Sequence, residues 1–195
     1  MPQFGLRGIK VAKYVNTSGT ISYTNLQEVG KAMQANFELR RAEGRLYAED
    51  GLAEYMTSAT GGTISLGVAY IKDAAQKLMF GLTEKTRSVT PAGGSTTSVT
   101  GLAVSAKSEG VYVGIGFYCP AMKDGAKVYW CCRISKALFG PPSMSLQTKG
   151  ENIVFNTPTT TGEMLMDDSD DALLYESAYV DSEAAAKAWV DAALT

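Results

Sequence analysis

The alternation of apolar and polar residues predicts a run of strands, because a period of two marks a strand with one buried face. Residues 35–41 set Phe37 and Leu39 against Asn36, Glu38 and Arg40, and residues 63–71 put Ile64, Leu66, Val68 and Tyr70 together. Residues 5–14 predict a first strand with Ile9 and Val11 inward and Lys10 outward, closed by the turn-rich Asn16-Thr-Ser-Gly-Thr20. For residues 24–33 a short helix and a connecting arm both fit. The strand from Ala35 is expected to pass a bulge at Gly44 into Leu46-Tyr47-Ala48 and to break at Glu49-Asp50-Gly51. Residues 52–62 then read as a polar crossover to the strand at Thr63. Asp73 reads as a helix N-cap with Gln76 in a capping-box position, Ala75, Leu78 and Met79 on one face, and Gly81 as terminator.

Residues 83–101 change character. Small and polar side chains there predict a long loop, and such a loop within a compact domain is functional or mobile. Residues 111–134 predict a hairpin turned by Asp124-Gly125, with pairs whose numbers sum to 249, so Phe117 opposes Cys132 and Ile115 opposes Ile134. One face holds Val111, Val113, Ile115, Phe117, Cys119, Val128, Trp130, Cys132 and Ile134, and the other Tyr112, Gly114, Gly116, Tyr118, Tyr129, Cys131 and Arg133. A second hairpin is expected from residues 143–148 turning at Lys149-Gly150 onto 151–156, with Ser145, Gln147 and Asn152 on a polar face. Residues 162–166 predict a last strand and 167–171 an acidic turn. Asp181 or Ser182 caps a terminal helix with Ala185, Ala188, Trp189 and Ala192 inward.

Composition narrows the chemistry. The chain has 195 residues, enough for one domain with a sizeable core: an N-terminal arm (1–34), a β core (35–166) and an acidic turn with helix (167–195). Eighteen basic against twenty acidic residues give no footprint for gripping phosphates. Histidine is absent, which removes the commonest general base and metal ligand and excludes serine–histidine and cysteine–histidine nucleophile systems. Cys119, Cys131 and Cys132 fit neither a disulfide framework nor a zinc spacing.

Three weaker motifs resolve to structural readings. Gly114-Ile-Gly116 lacks a third glycine and a following helix, so it reads as a strand thinned for a close approach. Asp168-Ser-Asp170 starts like a calcium loop, but Leu173 and Tyr179 stand where its glycine and glutamate belong. Trp130 with Tyr112, Tyr118 and Tyr129 fits a sugar platform or half-buried sheet aromatics. No catalytic, cofactor-binding or metal-binding residue is predicted, and no enzyme activity. The first residues lack the apolar run of a secretory leader, and no stretch approaches the ~18 apolar residues of a membrane span. Synthesis and folding in the cytosol are therefore expected.

Several phrases, in order, resemble the major tail protein family of long-tailed phages, the subunits of the tail tube. They are Gly5-Leu-Arg-Gly-Ile-Lys-Val-Ala-Lys-Tyr14, Leu46-Tyr-Ala-Glu-Asp-Gly51, Gly62-Thr-Ile-Ser-Leu66 leading to Phe80-Gly81, and Thr148-Lys-Gly-Glu-Asn-Ile-Val-Phe-Asn-Thr-Pro158 before Gly162. The resemblance implies a mainly β subunit with minor α, a tail-tube-type β-sandwich or barrel with a short flanking helix and a C-terminal helix. It implies hexameric rings that stack into a hollow tube lined by a continuous β-barrel, through which DNA passes without specific binding. Tape-measure, tail-tip and terminator proteins would be partners, the virion tail the location and the host cytoplasm the place of assembly. No cofactor and no membrane are implied. Subunit contacts are expected at Ile9 and Val11, at Thr90, Pro91, Gly93 and Gly94, and at Ser145, Gln147 and Asn152. A β-sandwich binding module (an adhesin or carbohydrate-binding domain) and another virion part (a head–tail joining or capsid protein) stand as alternatives.

Overall fold

The computed structural model describes residues 2–146, 148 and 155–195. Strand β1 (Arg7–Thr17) turns at Ser18-Gly19, both at positive φ, into β2 (Thr20–Glu28). The segment 24–33 is therefore neither helix nor free arm: β2 runs through its first half, held by Tyr14↔Tyr23 and Lys10↔Glu28. β3 (Ala32–Ala48) and β4 (Gly51–Val68) follow as one long hairpin. Glu49 and Asp50 make a two-residue turn with φ of 50° and 61°, the left-handed pair that matches strand twist. This corrects the expected crossover, since residues 52–62 are strand paired back onto β3 throughout. Gly44 pairs regularly with Met56; the register shifts fall at Ala32/Gln34, Arg40/Arg41 and Leu46/Tyr47 instead.

Helix α1 (Asp73–Phe80) buries Ala75, Leu78, Met79 and Phe80. Its N-cap is Lys72, and Asp73 is already helical; the Gln76 amide donates to the Ile71 carbonyl (2.9 Å) rather than closing a capping box. Gly81 ends the helix at φ 64°, where a Cβ would lie 2.1 Å from the Glu109 carbonyl oxygen. β5 (Thr83–Val89) and β6 (Thr97–Ala103) form a hairpin where a loop was expected. β7 (Val113–Lys123) and β8 (Ala126–Phe139) pair in the predicted register, Phe117↔Cys132 and Ile115↔Ile134, with Asp124-Gly125 at φ 50° and 81°. β9 (Thr159–Leu165), β10 (Tyr175–Val180) and α2 (Glu183–Ala193) complete the described elements.

The large sheet has the order β2-β1-β7-β8-β9-β4-β3 and forks at β8. The first half of β8 carries β10 (Val180↔Tyr129 to Tyr175↔Ile134), and its last residues carry β9 (Lys136↔Leu165 to Phe139↔Gly162). The fork lets two half-sheets face each other as a sandwich. Between them lies the main core: Ile9 and Val11 of β1, Ile115 and Phe117 of β7, and Cys132 and Ile134 of β8 meet Ile64, Leu66 and Val68 of β4 and Met164 of β9, with α1 at one end. Tyr70, expected on the Ile64 face, lies past the end of β4 and is exposed. The molecule is mainly β with minor α.

A second core covers the opposite face of β7 and β8. Ala186, Val190 and Leu194 press on Ala12, Tyr23, Tyr118, Tyr129 and Cys131. The inward face of α2 is thus rotated from the expected one: Ala188 and Ala192 are exposed, and the larger Val190 and Leu194 turn in, because they bury more apolar area than alanines do. Ser182 is the N-cap, its hydroxyl accepting from the Ala185 amide at 3.1 Å.

Candidate functional site

The feature without a counterpart inside the molecule is the far half of the β3–β4 hairpin. β4 pairs with β9 from Gly62 to Gly67, so beyond Gly61 the two strands have only each other among the described residues. Residues 41–60 therefore leave the sandwich as a two-stranded ribbon of eight residue pairs, about 26 Å long at ~3.3 Å per residue. Every residue from Arg41 to Ser58 is exposed. The ribbon displays Leu46 (57% exposed), Tyr47 (64%), Leu52 (54%), Tyr55 (48%) and Met56 (74%). Arg45 pairs with Glu43 (3.0 Å) and lies over the Tyr55 ring at 5.7 Å, which stiffens one face. A lone two-stranded ribbon is marginally stable in water, and an apolar patch of this kind marks an interaction surface.

A second ribbon stands beside α1. Among the described residues β5 and β6 pair only with each other, and their residues are exposed apart from Leu102 and Ala103 at the base. Threonine hydroxyls zip it across the strands (Thr86–Thr100, 2.8 Å; Thr90–Thr96, 2.7 Å), and a Lys77–Glu84 ion pair ties it to α1. Its tip holds Thr90, Pro91, Gly93 and Gly94, four of the expected contact residues, all exposed. Ser145 is exposed as well. Ile9 and Val11 lie wholly inside the chain's own core, which leaves them no side-chain surface for a neighbour. Gln147 and Asn152, and the turn at Lys149-Gly150, lie outside the described residues. Of the hairpin expected there, Ser143 bridges Thr159, whereas Met144, Ser145, Leu146 and Phe155 are exposed and in no strand.

At the opposite end of β3 the sandwich gapes. A cleft of about 580 Å³ opens between the N-terminal segment (Phe4, Leu6), the start of β3 (Met33, Phe37) and the Phe117–Trp130 pair of β7 and β8. Phe37 is backed by Tyr175 of β10, which stacks obliquely on it with ring centroids 5.7 Å apart. β3 is the last strand of the sheet order, so its outer edge has no strand partner among the described residues.

The candidates for chemistry resolve otherwise. The three thiols are buried and unbridged; burial pushes Cys131 up to about 11 and Cys132 up to about 12, and raises Cys119. Tyr118 and Tyr129 lie under α2 on the sheet face opposite Trp130, so these rings form no common platform. Gly114 and Gly116 thin the strand for α2 and Tyr23: a Cβ would come within 2.9 Å of Leu194 at the first and 2.7 Å of Val190 at the second. The acidic turn folds around Asp167, whose carboxylate accepts from the Ser169 amide (3.2 Å), the Ser169 hydroxyl (2.5 Å) and the Leu173 amide (2.9 Å). Asp168 accepts from Tyr14 (2.9 Å) and Lys136 (2.8 Å), and the Lys136 hydrogen bond first, then Tyr14, holds its carboxyl below the usual range. Among the described residues no three cysteine, aspartate or glutamate side chains converge as a metal site.

Sequence reasoning missed β2, β10, the ribbon and the cleft. The signal for the ribbon was the turn alone: Glu49-Asp50-Gly51 supplies residues suited to a tight hairpin turn, whereas the flanking Leu46-Tyr-Ala48 and Leu52-Ala-Glu-Tyr-Met56 show no clean alternation. No protein-family model and no curated protein matches this chain.

Proposed function

We propose that this chain is a structural subunit that assembles with copies of itself, and that the assembly is the tail tube of a long-tailed phage. The observation that carries the reading is the ribbon at residues 41–60, eight residue pairs of strand with large apolar side chains that nothing among the described residues covers. A free edge on β3 and a second uncovered ribbon at β5–β6 add surfaces of the same kind. Head-to-tail contacts between such surfaces close into a ring when the rotation permits and otherwise extend as a filament. A tube of stacked hexameric rings uses both outcomes. The resemblance of the ordered phrases to those of major tail proteins favours the tube among assemblies, and a near-neutral chain suits a wall past which DNA slides, because a basic lining would hold phosphates. In that setting the tape-measure, tail-tip and terminator proteins are the partners, and the subunit does its work in the virion tail as a scaffold rather than a catalyst.

The test is electron microscopy and light scattering of the concentrated chain beside a variant in which residues 42–59 are replaced by an Asn-Gly turn. The full chain should form rings or hollow tubes, and the variant should keep its circular dichroism and stay monomeric. Normal tubes from the shortened variant, or a full chain that remains monomeric at every concentration, would overturn the reading.

A further inference from the structure

We infer that the tip of the β3–β4 ribbon of one copy seats in the cleft beside the start of β3 of the next copy. This rests on the self-assembly reading and adds to it a specific partner surface. Tip and cleft lie at the two ends of one strand: from Ala35 at the cleft to Tyr47 at the tip, β3 runs twelve residues, about 40 Å at ~3.3 Å per residue. No bend brings a continuous ribbon back over that distance to its own cleft. A second copy displaced along the strand by the same length presents its cleft to the first copy's tip, and repeating the step builds a stack.

The surfaces match in chemistry. The tip offers Leu46, Tyr47 and Leu52, each more than half exposed; the cleft offers Phe4 and Met33, also half exposed or more, above the Phe117–Trp130 pair. Aromatic and aliphatic side chains entering an aromatic-lined gap gain burial and offset ring contacts together. Charge agrees. Glu49, Asp50 and Glu54 make the tip acidic, whereas two lysines flank the cleft's lining in sequence: Lys31 is two residues before Met33, and Lys123 is two residues after Ala121, the bridge partner of Gln3. None of these five pairs with an opposite charge among the described residues. The free edge of β3 beside the cleft supplies backbone donors and acceptors of the sort an incoming strand takes up.

The experiment places a photo-crosslinking amino acid at position 47 of the full chain, mixes isotopically light and heavy protein under assembly conditions, and maps crosslinks by mass spectrometry. Light–heavy crosslinks to Phe4, Met33 or Phe37 are expected. Leu52→Lys and Met33→Lys should each raise the concentration needed for assembly at least tenfold with unchanged circular dichroism, since both positions are exposed in the single copy. Asp50→Lys should weaken assembly, and Lys31→Glu with Lys123→Glu should partly restore it. Assemblies whose position-47 crosslinks map elsewhere would overturn the seating and leave self-assembly standing. A chain that never assembles would overturn both.

Discussion

Replacing Gly114 by alanine tests whether α2 is seated as the structure shows. The added Cβ would lie 2.3 Å from Cε1 and 2.8 Å from Cδ1 of Tyr23, and 2.9 Å from Cδ2 of Leu194. Leu194 meets it with the end of a flexible side chain and yields. Tyr23 does not: its hydroxyl donates to the Ser135 carbonyl (2.9 Å), Arg133 lies over its ring at 5.4 Å, and Tyr14 abuts it edge-on at 6.0 Å. Overpacking a fixed neighbour costs about 1–3 kcal/mol. In a chain of this size that lowers the melting temperature by about 2–12 °C, at roughly 2–4 °C per kcal/mol. Urea and thermal unfolding followed by tryptophan fluorescence and circular dichroism would measure it. Gly101→Ala is the control, because no atom lies within 4 Å of its added Cβ, and it should stay within about 0.5 kcal/mol of the parent. Leu194→Ala alone should cost about 2–5 kcal/mol, and combined with Gly114→Ala less than the sum, since one change makes room for the other. A Gly114→Ala protein as stable as its parent would refute the packing of Tyr23 and α2 on β7.

Three further outcomes follow from the same geometry. Cys131 and Cys132 should not react with a thiol reagent at pH 8 in the folded protein and should react on denaturation; because their folded values stand above the ordinary thiol value of 9.0, stability should fall as pH rises from there toward about 11–12, as urea midpoints would record. Glu183, held low by its bond from Tyr118 and then by Arg7, and Asp168, held low by Lys136, contribute stability that is present above the ordinary carboxylate range and lost as pH falls through it, so the urea midpoint should drop below about pH 4 and drop less in Glu183→Gln/Asp168→Asn. Glu49→Asn with Asp50→Gly places residues that favour positive φ in the ribbon's turn and should slow amide exchange across residues 41–60 without moving the main transition; unchanged exchange would mean the turn does not limit the ribbon.

What could be read from the sequence follows from how much of each element's environment is local. The β7–β8 register was legible because both faces of that hairpin are buried and a two-residue turn fixes the pairing, so only one alignment puts Phe117 opposite Cys132. The α1 terminator was legible because Gly81 must take a left-handed φ whatever surrounds it. The facing of α2 was not, because a helix with six alanines in eleven residues offers several weak stripes, and the choice falls to Gly114 and Gly116 on a distant strand. β10 was missed for a similar reason. Its outward Tyr175, Ser177 and Tyr179 alternate with Glu176, Ala178 and Val180 without a clear polar side, and only the fork at β8 gives it a place to pair.

The ribbon poses the sharpest case, because it carries large apolar side chains that nothing among the described residues covers. Along β3 the alternation of Phe37 and Leu39 with Glu38 and Arg40 has a core beneath it; past Arg41 the strand continues, and Leu46 and Tyr47 meet solvent. An exposed apolar strand pair invites indiscriminate pairing unless something limits it. Here Glu43, Arg45 and Glu54 interleave with the apolar residues, and two bulges set extra residues at Thr60 and Ala53 into β4. Bulges and charges oppose a flat, edge-to-edge approach while leaving side chains free to enter a shaped recess. The same features that keep a single copy from aggregating therefore select which surface it accepts, and a partner gripping the tip acts through uninterrupted backbone on the sheet whose core it shares.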